Sequence, residues 1–207
     1  MVLGRSVQGR AITAVHFDAP HARVRVVLVG CIHGDEPAGI AITRAVDGMT
    51  PASDMDLWVI DDLNPDGVAA GTRQNARGVD LNRNFPLAWH ATGHRGDPEF
   101  PGAAPLSEPE TRAAFDLLNR LQPTVTIWYH QHQNLVDESG GDVAIERRYA
   151  DLVGLSLRRL TRYAGSATGW QNATMSRRTT AFVVELPAGQ LSSASAARYA
   201  RAVLQLL

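Results

Sequence analysis

Apolar and polar positions along the chain switch between strand-like and helix-like spacing. Arg10–Phe17 and Arg23–Gly30 read as strands, the second with a valine-rich centre at Val24–Val29. Asp18-Ala19-Pro20-His21 between them predicts a hairpin turn. Pro37 opens a helix reaching about Asp47. Leu57–Asp61 is the next strand and runs into Asn64-Pro65-Asp66-Gly67, a strong turn signal. From Val68 to Pro105 the periodicity fades, and so long a loop inside a compact domain is usually functional. Ser107 and Glu110 form a capping box for a helix ending near Leu121. Thr124–Tyr129 is a β-branched and aromatic strand. Ile145–Tyr163 spaces Leu152, Leu155 and Leu160 as one long helix. Thr180–Leu186 is a strand and Ala194–Leu206 a closing helix.

Strands alternating with helices predict an α/β three-layer sandwich: a mixed, largely parallel sheet with helices on both faces. The 207 residues suit one domain, 1–207. Sites in such sheets gather at the carboxyl ends of strands. His33, Asp61, His130 and Glu185 all lie at or just past such ends.

Charge narrows the partners. With 20 basic and 21 acidic residues, there is no basic excess to neutralise phosphates, so a nucleic-acid partner is not expected. No apolar run approaches the roughly 18 residues of a membrane span. Met1–Arg10 lacks the apolar core of a signal peptide, which points to a cytoplasmic protein. Cys31 is the only cysteine, so no internal disulfide forms, and a reducing compartment is compatible. It ends an apolar run and reads as a small buried hydrophobe rather than a ligand.

Four clusters carry candidate chemistry. In His33-Gly34-Asp35-Glu36 a His and a Glu three residues apart, where a strand turns into a helix, can face one ion. Zinc accepts both donor types. The same pair also suits a packed histidine and a carboxylate favoured by a helix dipole. Arg73–Pro86 crowds three arginines and three asparagines into fourteen residues, which fits carboxylate or oxyanion binding and also a solvated loop. Ile127–His132 ends a strand with His130 and His132 on a shared face; His130, at the strand end, is the stronger candidate ligand. Glu185 ends the apolar run Ala181–Val184, where an acid is costly to bury without a purpose or an arginine partner.

Taken together these residues resemble the zinc carboxypeptidase family. Leu3–Arg10, His33-Gly34-Asp35-Glu36, Asn64-Pro65-Asp66-Gly67, Asp80-Leu81-Asn82-Arg83-Asn84-Phe85, His130 and Val184-Glu185-Leu186 follow in the family's order. The short length and the Val79–Pro86 run look most like its murein peptide amidase branch. That resemblance implies cleavage of the γ-D-glutamyl–diaminopimelate bond of cell-wall peptides, a small-peptide substrate. It implies one zinc ion held by His33, Glu36 and His130, with Asp80 orienting the His33 ring. Arg73 would polarise the scissile carbonyl, Asn82 and Arg83 would bind the substrate carboxylate, and Glu185 would be the general base. Family carboxypeptidases usually carry a mobile tyrosine in the loop before the glutamate. Ala164–Thr180 has none, and Tyr163 falls at a predicted helix end, where it is given no role. Ser166–Trp170 should line the leaving-side pocket, with Arg177 and Arg178 nearby.

Two other readings share these residues. An N-acyl amino acid deacylase of the aspartoacylase type would use the same metal site, but the Leu3–Arg10 opening and Glu185-Leu186-Pro187 favour a peptidase. A zinc-bound, non-catalytic binding domain would have no need of Glu185. A Gly-x-Ser-x-Gly elbow is missing, so acyl-enzyme chemistry is poorly supported.

Overall fold

The computed structural model describes residues 1–207. Its elements, in chain order, are β1 Val2–Arg5, β2 Ala11–Thr13, β3 Val15–Phe17, β4 Val24–Val29, α1 Gly39–Val46, β5 Met55–Ile60, α2 Pro65–Ala70, α3 Pro109–Leu121, β6 Val125–Asp137, α4 Val143–Val153, β7 Ser156–Arg158, α5 Ala167–Thr174, β8 Thr180–Pro187 and α6 Ser193–Leu204. A single 3₁₀ turn, Leu81–Arg83, interrupts the long central loop.

The central strands are buried on both faces, and their alternation divides one sheet between two cores. Val26, Leu28, Leu57, Val59, Ile127 and Tyr129 pack with α1, α4 and α6. Val27, Val29, Trp58, Ile60 and Trp128 pack on the other side with α3 and α5. This is the three-layer α/β sandwich expected from the sequence. Strand order runs β3-β5-β4-β6, with β8 and β7 beyond. β4 pairs in parallel with β5 and β6, whereas β3 is antiparallel to β5. No helix is long and apolar enough to cross a membrane.

Several local expectations are corrected. The hairpin of Arg10–Phe17 with Arg23–Gly30 does not form. The fully buried β5 inserts between β3 and β4, while β2 pairs with β1 in a separate two-stranded sheet. Asn64-Pro65-Asp66-Gly67 is a helix start rather than a free turn: the Asn64 side chain accepts from the Gly67 N–H and caps α2. The residue at the N-cap position of α3 is Glu108, not Ser107, and its side chain makes no capping bond. Glu110 is buried and spends its carboxylate on the Val7 N–H (2.9 Å) and Asn75 Nδ2 (3.0 Å), so no capping box closes. The helix expected over Ile145–Tyr163 stops at Val153. Gly154 takes a left-handed conformation (φ 71°) and donates its N–H back to the last carbonyls.

β6 is longer than expected and turns back on itself. His130 pairs with Glu185 of β8, but farther along Leu135 pairs with Glu185 and Val136 with Val184, the β8 number falling as β6 advances. The reversal passes through His132–Asn134, where Asn134 has a positive φ of 55° and the side chains are exposed. It takes His132 off the buried face that holds His130, so the shared face expected for the two histidines does not exist.

Candidate metal centre and cleft

The site begins where β4 ends. Gly30–Ile32 carry the chain out of the sheet, and Gly34 then presses its backbone against α2. A Cβ at Gly34 would lie 1.9 Å from the Gly67 carbonyl carbon, so only glycine fits between His33 and Glu36. Asn64, fully buried, donates to the Ile32 carbonyl (3.2 Å) and the Arg73 carbonyl (3.3 Å). One side chain thereby caps α2 and ties the histidine turn to the loop carrying Arg73.

His33, Glu36 and His130 converge. The His33 and His130 Nδ1 atoms are 3.1 Å apart. Glu36 Oε1 lies 3.1 Å from His33 Nδ1, and Oε2 lies 2.9 Å from His130 Nδ1. Tetrahedral ligands of a zinc ion stand roughly 3.4 Å apart, so this donor set suits one ion with little adjustment. Gln131 fixes the carboxylate by donating its backbone N–H to Glu36 Oε2 (3.1 Å). Its amide also bonds the Ala38 N–H and the Pro187 and Gly189 carbonyls, binding the β6 and β8 ends to the start of α1.

Behind this set lies Asp80, fully buried. Its Oδ1 meets His33 Nε2 at 3.0 Å, while Oδ2 accepts from Arg73 Nε (3.0 Å) and Nη2 (2.9 Å). Arg73 Nη1 reaches Glu36 Oε1 at 3.1 Å. Burial opposes charge on all these groups, yet their mutual attraction prevails. Asp80, paired with His33 and Arg73, sits well below the usual carboxylate range. Glu36, bonded to both imidazoles, does likewise. His33, facing Asp80 and Glu36, is held up at about 9 despite its burial. Burial drives the Cys31 thiol far up instead, and its Sγ bonds the His33 carbonyl at 3.0 Å, which leaves it a thiol outside the donor set.

A cleft of about 480 Å³ opens over these residues. Glu185, opposite His130 on β8 and 8% exposed, lines it, with its Oε2 3.4 Å from the Gln133 N–H. Asn82 and Arg83, set on the 3₁₀ turn that Asp80 caps, line it too. The Asn82 Oδ1 accepts the Ala167 N–H (2.9 Å), orienting its amide against the start of α5. All eight residues singled out for the site thus meet in or just behind one cleft. Ser166 and Thr168 line it as well, but Arg177 and Arg178 are exposed and do not.

Tyr163 was missed as a site residue. Because α4 ends at Gly154, Tyr163 lies in a loop lining the cleft, and the Arg83 guanidinium stacks 3.9 Å from its ring centroid. Gly165 stitches that loop down: Phe85 donates to its carbonyl at 3.0 Å, and a Cβ there would lie 2.1 Å from the Arg83 oxygen. The helix-stopping glycine was the available sequence signal. Gln131 gave none, since its partners lie far away in sequence, and the Asn64 motif marked a turn without showing that its side chain reaches Ile32 and Arg73.

A sheet sandwiched by helices, with a His-Glu-His cluster at strand ends and a second carboxylate in the same cleft, defines a metallohydrolase-like class. The chain belongs to the zinc carboxypeptidase family, whose sequence profile matches residues 1–144. That span includes every residue discussed above up to His130, but not Glu185. Among curated relatives, murein peptide amidase A of Escherichia coli K12 is 36% identical over 140 residues, covering 61% of this chain. The Vibrio campbellii amidase of the same name is 33% identical over 147 residues, covering 65%. These matches span 57% and 58% of the relatives' own lengths. The crystal structure of a murein-tripeptide amidase from E. coli O157 superposes with a TM-score of 0.79 at 29% identity, covering all of this chain and 90% of that one. Carboxypeptidase A of Helicoverpa armigera shares the fold, with a TM-score of 0.84 at 17% identity.

Proposed function

We propose that this chain is a zinc-dependent amidase that cleaves the γ-D-glutamyl–diaminopimelate bond of murein-derived peptides, with residues 1–207 acting as one catalytic domain. The observation that carries the reading is the convergence of His33, Glu36 and His130 in the cleft that also contains Glu185. The likeness to murein peptide amidases supports the substrate class.

His33, Glu36 and His130 would hold the ion, which when bound supplies Lewis acidity at the scissile carbonyl and acidifies water. Asp80 holds the His33 ring by its Nε2, which leaves Nδ1 for the ion. Arg73, gripped along one edge by Asp80, has Nη1 directed at the centre and steadies negative charge on the carbonyl oxygen. Glu185 takes the proton of the attacking water and later delivers it to the leaving amine, a role worth roughly 10²–10⁴-fold in rate. Asn82 and Arg83 bind the carboxylate of the leaving residue. Tyr163, stacked on Arg83, covers that residue. A reducing, cytoplasmic setting, compatible with the single thiol, belongs to the same proposal.

The test is hydrolysis of L-Ala-γ-D-Glu-meso-diaminopimelate by the purified protein with zinc, with chelator, and by Glu185→Ala. The expected result is metal-dependent cleavage abolished by the substitution. A zinc-loaded protein that leaves this peptide intact but cleaves N-acyl amino acids would replace the proposal with the deacylase reading.

A further inference from the structure

The arginine assigned to the substrate carboxylate already holds a carboxylate of its own. Arg83 Nη2 donates to Glu99 Oε1 at 2.8 Å. The Arg83 side chain is 9% exposed and that of Glu99 is 55% exposed. Of the other guanidinium nitrogens, Nη1 donates to the Asn82 carbonyl (3.0 Å), while Nε is buried without a partner. Nε and Nη2 form one edge of the guanidinium, the edge that takes a carboxylate through two parallel hydrogen bonds. Glu99 uses half of it and leaves the buried half unsatisfied, which is costly.

We propose that Glu99 is a built-in competitor for the substrate carboxylate on Arg83, and that its displacement sets the affinity for the leaving residue. This rests on the assignment of Arg83 made above. The ion pair is easily surrendered, because its acidic member is more than half exposed and such pairs are worth little. The Glu99 backbone is anchored through its neighbours: Asp97 accepts from the Gln74 amide and the Phe100 N–H, and its side chain accepts the His94 N–H. Only the side chain has to move, and there is room for it. Arg83, Glu99 and Tyr163 separate the main cleft from a smaller cavity of about 130 Å³, lined also by Trp89, His90 and Pro101. A carboxylate-bearing leaving residue replaces one hydrogen bond on Arg83 with two. An amidated one meets an arginine whose charge is already neutralised.

The test measures binding of free meso-diaminopimelate to the zinc-loaded protein by calorimetry, and KM and kcat on the tripeptide, for wild type, Glu99→Gln, Glu99→Ala and Arg83→Ala. Both Glu99 variants should bind the amino acid about three- to fivefold more tightly and lower KM by a similar factor, with kcat little changed. The KM of a tripeptide amidated at the diaminopimelate carboxylate beside the scissile bond should move by less than about twofold. Arg83→Ala should weaken binding of the free carboxylate. If Arg83→Ala has no effect, the assignment of Arg83 itself is wrong. If Arg83→Ala weakens binding but the Glu99 variants do not tighten it, only the competitor role is overturned. Weaker binding by Glu99→Gln would overturn it too, by making Glu99 a partner for a substrate cation. Failure of wild type and both Glu99 variants to bind the amino acid would have the same consequence.

Discussion

At the scale of single residues, the site is organised around Asp80 more than around any of the three metal-facing side chains. One buried carboxylate aligns His33 through Nε2 and Arg73 through two N–H groups, and it caps the turn that carries Asn82 and Arg83. Asp80→Asn keeps the shape but removes the charge that opposes the two cations. Zinc affinity should fall by about 10- to 100-fold, measured by competition with a chromophoric chelator. A second residue-scale prediction concerns Glu146, buried in the first turn of α4. Its Oε1 accepts the Ser139 N–H at 3.0 Å, and its Oε2 has no partner. Burial pushes it up to about 7. Between the ordinary carboxylate value and 7 the unfolded chain gives up this proton while the folded one keeps it, so stability is lost as pH rises through that window. The melting temperature should decline from pH 5 to pH 8, and Glu146→Gln should remove that part of the decline. An unchanged pH profile in the variant would show that Glu146 is already ionised in the fold. The candidate ligands themselves were legible in the sequence because each stands at or just past the end of an apolar, strand-like run. Gln131, Tyr163 and Glu99 were not, because each acquires its role from a partner that folding brings to it.

At the scale of elements, the errors of the sequence reading share one cause: local pattern cannot show which strand or turn a segment meets. Asp18–His21 has turn chemistry, but the chain it was expected to bring back pairs with β5 instead. Leu155 and Leu160 continue the apolar spacing of α4, yet Gly154 ends it. That glycine has open space around the missing Cβ, so its conformation alone is at stake. Gly154→Ala should cost about 1–2 kcal/mol of stability, the strain of a left-handed alanine, in denaturant unfolding. A neutral result would mean that the helix can run on through this position. The consequence reaches the site, because the early stop frees the loop that brings Tyr163 over Arg83.

At the scale of the whole molecule, the layered α/β architecture was readable, since doubly buried strands alternate with amphipathic helices. The reversal of β6 was not, because the polar stretch Gln131-His132-Gln133-Asn134 reads as the end of a strand and gives no sign that Leu135 and Val136 return beside β8. The sheet supplies rigidity where the chemistry needs it: His130 and Glu185 sit side by side on adjacent central strands. The ion would join three separate parts of the chain, the β4–α1 turn, β6 and, through Asp80, the central loop. Removing it should therefore be felt globally. With zinc at about 1,000 times its dissociation constant, linkage adds roughly 4 kcal/mol, and chelation should lower the melting temperature accordingly.

The central claim is that His33, Glu36 and His130 form one zinc site served by a separate general base. Its most direct test is the zinc content per chain of wild type, His130→Ala and Glu185→Gln, purified identically. The account predicts about one ion in wild type and in Glu185→Gln, and almost none in His130→Ala. Full zinc retention by His130→Ala, or loss of zinc from Glu185→Gln, would contradict it.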